Sequence, residues 1–213
     1  GAGLIWLLER HTTLDGIPPI EQTMVSLFHS ITCRTAGFNT VDIGGLGDAT
    51  LFLMIFLMFF GASPGSCGGG VKTTTLAVVI ALSWSRIRQH RRVNLFRKSV
   101  PQETISRTTS LLLIGAGMIC LVAFMVVIGE GSGFQNVLAR RYQFLAYFFE
   151  TVSAFGTVGL SMGVTPELSS WGKYWITFMM MVGRVGVLTF SYILVGGGSA
   201  NGREYAEENV MIG

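Results

Sequence analysis

Thr35-Ala36-Gly37-Phe38 and Thr157-Val158-Gly159-Leu160 are two short loops spelled almost alike, each set between a brief apolar run and a longer one. The brief runs lie near 20–33 and 142–155. At about 12–14 residues each would cover roughly 20 Å as a helix, half a bilayer. Pro18-Pro19 followed by Glu21 is a sound helix start, with fixed backbone and an acidic first turn. The longer runs near 48–62, 108–129 and 172–195 are apolar enough for membrane helices. The first is too short alone and continues through a glycine-rich break at 61–70 into Val71–Trp84, so 48–84 reads as one interrupted helix.

The order is therefore helix, half-helix, Thr-x-Gly loop, helix, and then the same again. A constant spacing of 122 residues separates Thr35 from Thr157 and Gly37 from Gly159. The same spacing pairs Phe56 with Phe178, Met58 with Met180, and Gly61 with Gly183. A register shared from the loop deep into the next helix points to duplication. Between the copies the chain crosses the membrane an even number of times, so both loops face one side. This is a parallel repeat, unlike the inverted repeats of many secondary transporters.

Composition agrees with a membrane setting. Only 13% of the residues are charged, about half the ~25% usual in soluble domains. The 28 glycines suit close helix packing and irregular backbone around a pore. Cys33, Cys67 and Cys120 are scattered, with no CxxC and no paired histidines, so neither a disulfide framework nor a zinc site is expected. Leu4 to Leu8 has no basic region before it and is no signal peptide; it reads as the tail of a membrane helix that begins before Gly1. Arg86, Arg88, Arg91, Arg92, Arg97, Lys98 and Arg107 concentrate in the 86–107 linker, which positive-inside topology puts in the cytoplasm. Both loops then lie toward the outside. Asp15, Glu21, Glu130 and Glu167 share that side, where they can attract cations, and Arg140 and Arg141 oppose them. The mildly acidic tail 196–213 ends inside.

These residues suit a cation. A naked ion in a bilayer needs oxygens in place of its water, and a row of backbone carbonyls from Thr35, Ala36, Gly37 and Phe38 and from Thr157, Val158, Gly159 and Leu160 can supply them. Each loop resembles the Thr-Val-Gly-Tyr stretch whose carbonyls strip K⁺ of its hydration shell in channel filters. Glycine at the third position opens backbone conformations closed to other residues. Threonine adds a hydroxyl oxygen, and each half-helix aims its partly negative C-terminal end at the ion path. One glycine per loop is a shorter signature than that of potassium channels, which implies fewer stacked sites and looser selectivity.

The whole chain resembles the Trk/Ktr/HKT superfamily of K⁺ transporters, in its bacterial pore-forming branch. The residues that carry the resemblance are Arg34-Thr35-Ala36-Gly37-Phe38-Asn39-Thr40, Ser153 to Ser161, Gly61 to Thr73, and Gly183-Arg184-Val185-Gly186. The closing Tyr205-Ala206-Glu207-Glu208-Asn209-Val210 adds to it. The resemblance implies an all-α membrane protein: parallel helix–pore-loop–helix repeats, two of a pseudo-fourfold pore, with a broken helix in the first copy. Residues 1–85 would be the third repeat with its first helix truncated, 86–107 a cytoplasmic linker, 108–195 the fourth repeat and 196–213 a cytoplasmic tail. The implied assembly is a multi-pass homodimer in lipid of the cytoplasmic membrane, with a cytosolic ring of nucleotide-binding regulatory subunits. K⁺ would be the transported ion, with no organic cofactor on this chain.

Irregular backbone at membrane depth is tolerated only against protein or a water-filled cavity. The segment bearing Gly61, Ser63, Pro64, Gly65, Ser66, Gly68, Gly69, Gly70 and Lys72 should thus line the pore below the filter, and the resemblance makes 61–72 an intramembrane gate. The alternative is a Pro/Gly kink used for packing. Gly65-x4-Gly70 with Val71-Lys72-Thr73 approaches a phosphate-binding loop, but Val71 intrudes and no strand–helix unit surrounds it. Lys72 would face an aqueous vestibule or snorkel inward. Arg184, a costly charge in the last apolar run, matches Ala62 at the repeat spacing; it should hydrogen-bond the 61–70 segment and hold back cations.

Glu150 and His29, within the two half-helices, read as structural hydrogen-bonding partners, and Asn39 as support for the first loop. No nucleophile–base constellation is present, so the sequence is not that of an enzyme, and positive-inside topology accounts for the basic linker without nucleic acid. The function expected is potassium uptake by channel-like permeation. A Na⁺- or H⁺-coupled secondary transporter, Na⁺ permeation, and a non-transporting membrane scaffold are the rivals.

Overall fold

The computed structural model describes residues 1–66, 68–88, 94–95, 98–130 and 137–186. Its helices are α1 (Ala2–Glu9), α2 (Pro19–Thr32), α3 (Asp48–Phe59), α4 (Thr73–Ile87), α5 (Gln102–Glu130), α6 (Val137–Gly156) and α7 (Ser170–Val185). Single 3₁₀ turns at Ile43–Gly45 and Thr165–Glu167 precede α3 and α7. A minimal antiparallel pair, Asn94–Leu95 with Lys98–Ser99, lies between α4 and α5. The other described residues are in helices or the loops between them. Cys67, parts of the basic linker, residues 187–195 and the tail with Tyr205–Val210 lie outside the described residues.

Local chemistry sets the boundaries. Proline at the first turn and Glu21 behind it open α2. α3 stops at Phe59 because Gly61, Pro64 and Gly65 follow; the chain leaves the helix at Phe60 and resumes at Thr73. α5 has 29 residues and, among the described residues, is the one helix long and apolar enough by itself to cross a membrane. It begins at Gln102, not near 108. Pro101 precedes it, Glu103 sits in its first turn, and Arg107 pairs with Glu103 at 2.6 Å, so a polar turn extends the apolar run. α6 runs 20 residues, longer than the expected 142–155, because Arg140 and Arg141 interrupt the apolar run inside its first turns. α7 ends at Val185, where Gly186 takes φ 90°; the rest of the expected segment to 195 lies outside the described residues.

The first helix of each copy packs on the two that follow it, α1 on α2 and α3 and α5 on α6 and α7, and α6 packs on α7 as well. α3 of the first copy rests against α6 of the second, and α4 against α5. One apolar cluster joins them: Cys33, Met54, Met58 and Val71 meet Val122, Phe149, Phe155 and Met179. Phe59 stacks on Phe155 with centroids 5.8 Å apart. The loops that follow α2 and α6 converge on this seam.

Candidate functional site

Each short helix ends in the same backbone turn. After α2, Thr35 takes φ 69° and Gly37 φ 78°; after α6, Thr157 takes φ 52° and Gly159 φ 91°. Among the described residues Thr35 and Thr157 are the only non-glycines at positive φ. A β-branched residue there is an outlier costing of order 1–3 kcal/mol, and such strain collects where a chain is held for a purpose. Helix-end carbonyls hold both turns. The Thr32 carbonyl accepts from the N–H groups of Ala36 and Gly37 at 3.2 and 3.4 Å. The Ala154 carbonyl accepts from Thr157, and that of Ser153 from Val158, at 3.1 and 2.9 Å.

The two loops abut. A methyl group on Gly37 would overlap the Val158 carbonyl oxygen and lie 3.3 Å from the Gly159 α-carbon. Their surroundings differ. Leu160 and Val158 are buried in the shared core, whereas Thr35, Ala36 and Phe38 are exposed, Phe38 by 71%. The Phe38 carbonyl accepts the Thr32 hydroxyl at 2.6 Å, which uses one of its lone pairs. Asn39 donates to the Val41 carbonyl at 3.1 Å, bracing the chain as it leaves the first loop.

Residues 60–72 form a looped segment closed at its base. Val71 donates to the Phe59 carbonyl at 3.0 Å and Thr73 to that of Ala62 at 2.9 Å. Gly65 and Gly70 take φ 79° and 73° to make its bends. The Lys72 ammonium turns back onto the segment, donating to the carbonyls of Ser66 at 3.0 Å and Gly68 at 3.3 Å. Ser66 donates through N–H and hydroxyl to the Ser63 carbonyl at 3.1 and 2.7 Å.

This segment touches both loops. A methyl group on Gly68 would sit 3.0 Å from the Thr35 methyl, and one on Gly69 would sit 2.6 Å from the Thr157 methyl and 2.9 Å from the Gly183 carbonyl. Gly61 lies under the Cys33 carbonyl, with 3.2 Å left for a side-chain carbon, and Gly70 under the Gly156 α-carbon, with 3.3 Å. The Gly69 N–H donates to the Thr157 hydroxyl at 2.9 Å. Arg184, in the last turn of α7, lines a cavity of about 480 Å³ together with Glu150, Ser153, Thr157 and Gly159. The structure thus brings the glycine-rich segment against both Thr-x-Gly loops, and places Arg184 in a cavity lined by the second loop.

Other side chains hold this arrangement. Glu150 on α6 accepts the Ser161 hydroxyl and, at 3.2 Å, the Met162 N–H, fixing the chain as it leaves the second loop. His29 on α2 contacts its own helix through Nδ1 and the Val25 carbonyl at 2.9 Å. Glu9, which the sequence reading passed over, is buried at the end of α1. It accepts from Thr12 at 2.6 Å, Thr13 at 2.8 Å, the Gly47 N–H at 3.0 Å and the Thr50 hydroxyl. Glu130 at the end of α5 accepts from the Ser169 N–H and hydroxyl at 2.9 and 2.8 Å. Gly47 and Ser169 are the N-caps of α3 and α7 and stand 122 residues apart. Each copy therefore ties the end of its first helix to the start of the helix after its Thr-x-Gly loop with one carboxylate. Glu130 serves here as a tether before it serves as an outer charge. An acid closing an apolar run, paired with a small N-cap at the repeat spacing, was the available signal.

The profile of the TrkH family, cation transport proteins, matches residues 4–195. The chain is 37% identical over 196 residues to Ktr system potassium uptake protein B of Vibrio alginolyticus, covering 91% of this chain and 41% of that protein. It is 34% identical over 213 residues to Ktr system potassium uptake protein D of Bacillus subtilis, covering all of this chain and 45% of that one. Potassium/sodium uptake protein NtpJ of Enterococcus hirae is 34% identical over 200 residues, with 91% and 42% covered. The chain spans about two fifths of the length of these relatives.

Proposed function

This chain belongs to the TrkH family of cation transport proteins, and from that premise we propose that it supplies two of four filter segments to a potassium-uptake pore in the cytoplasmic membrane. It is a transport protein and not an enzyme. Residues 1–85 and 108–195 act as two parallel helix–pore-loop–helix repeats, joined by the cytoplasmic linker 86–107 and followed by the tail 196–213. Carbonyls of Thr35–Phe38 and Thr157–Leu160 replace the hydration shell of K⁺ as it passes down its gradient. The observation that carries this reading is the matched left-handed backbone at the threonine and glycine of both loops, with the loops in contact.

The glycine-rich segment 61–72 acts as the gate below that filter, and α3, the segment and α4 together form one interrupted membrane helix. Its contact with both loops supports this, as does Arg184 near Thr157. Arg184 steadies the closed segment, and its charge opposes cations. Regulatory ring subunits in the cytosol move the segment through α4, which ends near Arg86, and the pore works as a homodimer.

Transport by the full-length protein in cells that lack potassium uptake tests the reading. Gly159→Asp should abolish growth at low K⁺ with the protein still in the membrane; normal growth would exclude the filter. The printed name of the Enterococcus relative, a potassium/sodium uptake protein, favours one alternative, passage of Na⁺ or its coupling to K⁺. Flux that follows the K⁺ gradient alone, with Na⁺ and protons clamped, separates the two.

A further inference from the structure

We propose that cation binding at the second Thr-x-Gly loop and docking of the 61–70 segment oppose one another through a single oxygen, Oγ1 of Thr157, so that the transported ion itself loosens the segment beneath it. The inference rests on the reading of these loops as ion-binding elements.

The two loop threonines share a backbone conformation and differ in what their hydroxyls do. Thr35 Oγ1 donates to the carbonyl of its own neighbour, Arg34, at 2.6 Å. Thr157 Oγ1 accepts the backbone N–H of Gly69 from a segment 88 residues away in sequence. Gly68 and Gly69 lie one under each threonine, but Gly68 meets only the Thr35 methyl, while Gly69 reaches the hydroxyl of Thr157. Gly69 fits there because it lacks a side chain: a methyl group would stand 2.8 Å from that same oxygen. Among the described residues, the contact between segment and loops is thus bonded at Thr157 and packed at Thr35.

A hydroxyl oxygen offers two lone pairs. With one aimed at the Gly69 N–H, a cation taking the other would face the positive end of a backbone dipole across one atom. At this half-buried site that repulsion is screened less than it would be in bulk water. The same electron density serves both partners, so each weakens the other. Linkage makes the effect reciprocal: the factor by which a docked segment lowers cation affinity is the factor by which a bound cation lowers docking. The first loop carries no such coupling, since its hydroxyl is turned to its own chain.

The test uses the full-length protein in proteoliposomes. Ser66, exposed on the segment, is replaced by Ser66→Cys with Cys33→Ala, Cys67→Ser and Cys120→Ser, and labelled with a charged maleimide while K⁺ is raised against choline at constant ionic strength. Labelling should quicken by about fivefold or more between trace and saturating K⁺. Thr157→Val keeps the shape and loses the oxygen; labelling should then be fast and indifferent to K⁺, and Thr157→Ser should restore the dependence. Labelling indifferent to K⁺ in a protein that carries tracer Rb⁺ would overturn the coupling and leave the transport reading intact. A K⁺ dependence that survives Thr157→Val would overturn it as well. A monodisperse protein that carries no tracer would bring down the transport reading, and the coupling with it.

Discussion

Gly37 faces the carbonyl oxygen of Val158 so closely that no side-chain carbon fits between them. The two Thr-x-Gly loops therefore meet through backbone, and the conformation of each limits the other.

Gly37→Ala should be far more damaging than its backbone strain alone explains. Gly163 provides the comparison: it has φ 88° and open space where a side chain would project. Gly163→Ala should cost about 1 kcal/mol in stability and leave uptake near normal. Gly37→Ala adds a collision with the neighbouring loop and should lower potassium uptake at least tenfold at equal expression. Equal uptake by the two variants would show that the loops do not constrain one another.

Lys72→Met should free the segment it closes. It removes the bonds to the Ser66 and Gly68 carbonyls while keeping the length of the stem. Each bond to a charged donor contributes about 1.5–3 kcal/mol where solvent is excluded, and less where water reaches the ammonium. The expected outcome is higher basal tracer flux, with Lys72→Arg intermediate. Unchanged flux in a well-folded Lys72→Met protein would assign the lysine a passive role.

Arg184→Gln should raise basal flux through the full-length protein, because the variant removes the positive charge beside Thr157 and keeps a hydrogen-bonding side chain. Strict closure and a wild-type rate in the variant would count against Arg184 as part of the gate.

Glu9 and Glu130 should differ in weight. Glu9 is buried among four donors, and Glu9→Ala strands the Gly47 N–H and the buried Thr50 hydroxyl, while Thr12 and Thr13 keep the carbonyls of residue 9 and Gly45 as partners. A loss of about 3 kcal/mol or more is expected. Glu130→Ala leaves Ser169 able to cap α7 through Gly172, so about 1 kcal/mol is expected. Thermal inactivation of the purified protein in detergent measures both, and the reverse order would contradict the tether described here.

Much of this arrangement was legible in the residues. Pro18-Pro19 announced α2 because proline fixes its own backbone and lacks the N–H that a helix start leaves unpaired. The spacing of 122 residues announced the second loop, and Gly61 with Pro64 announced the end of α3. Hydropathy follows apolar stretches and misses polar turns that continue a helix, which is why α5 and α6 start earlier than expected. The partners of Glu9 at Gly47 and Thr50 lie 38 and 41 residues away, a distance no local pattern spans. Lys72 reads in the sequence as a charge facing an aqueous vestibule; the structure adds its bonds to the Ser66 and Gly68 carbonyls of its own bend.

The neck of the 60–72 segment gives it a mechanical character. Val71 is pinned to Phe59 and Thr73 to Ala62, so the ends of α3 and α4 are stapled together at the root of the segment. Tension applied along α4 falls first on these two staples and reaches Gly68 and Gly69 only after they part. A device with such a root behaves as a catch that holds against small forces and lets go at a threshold, instead of a spring that yields in proportion.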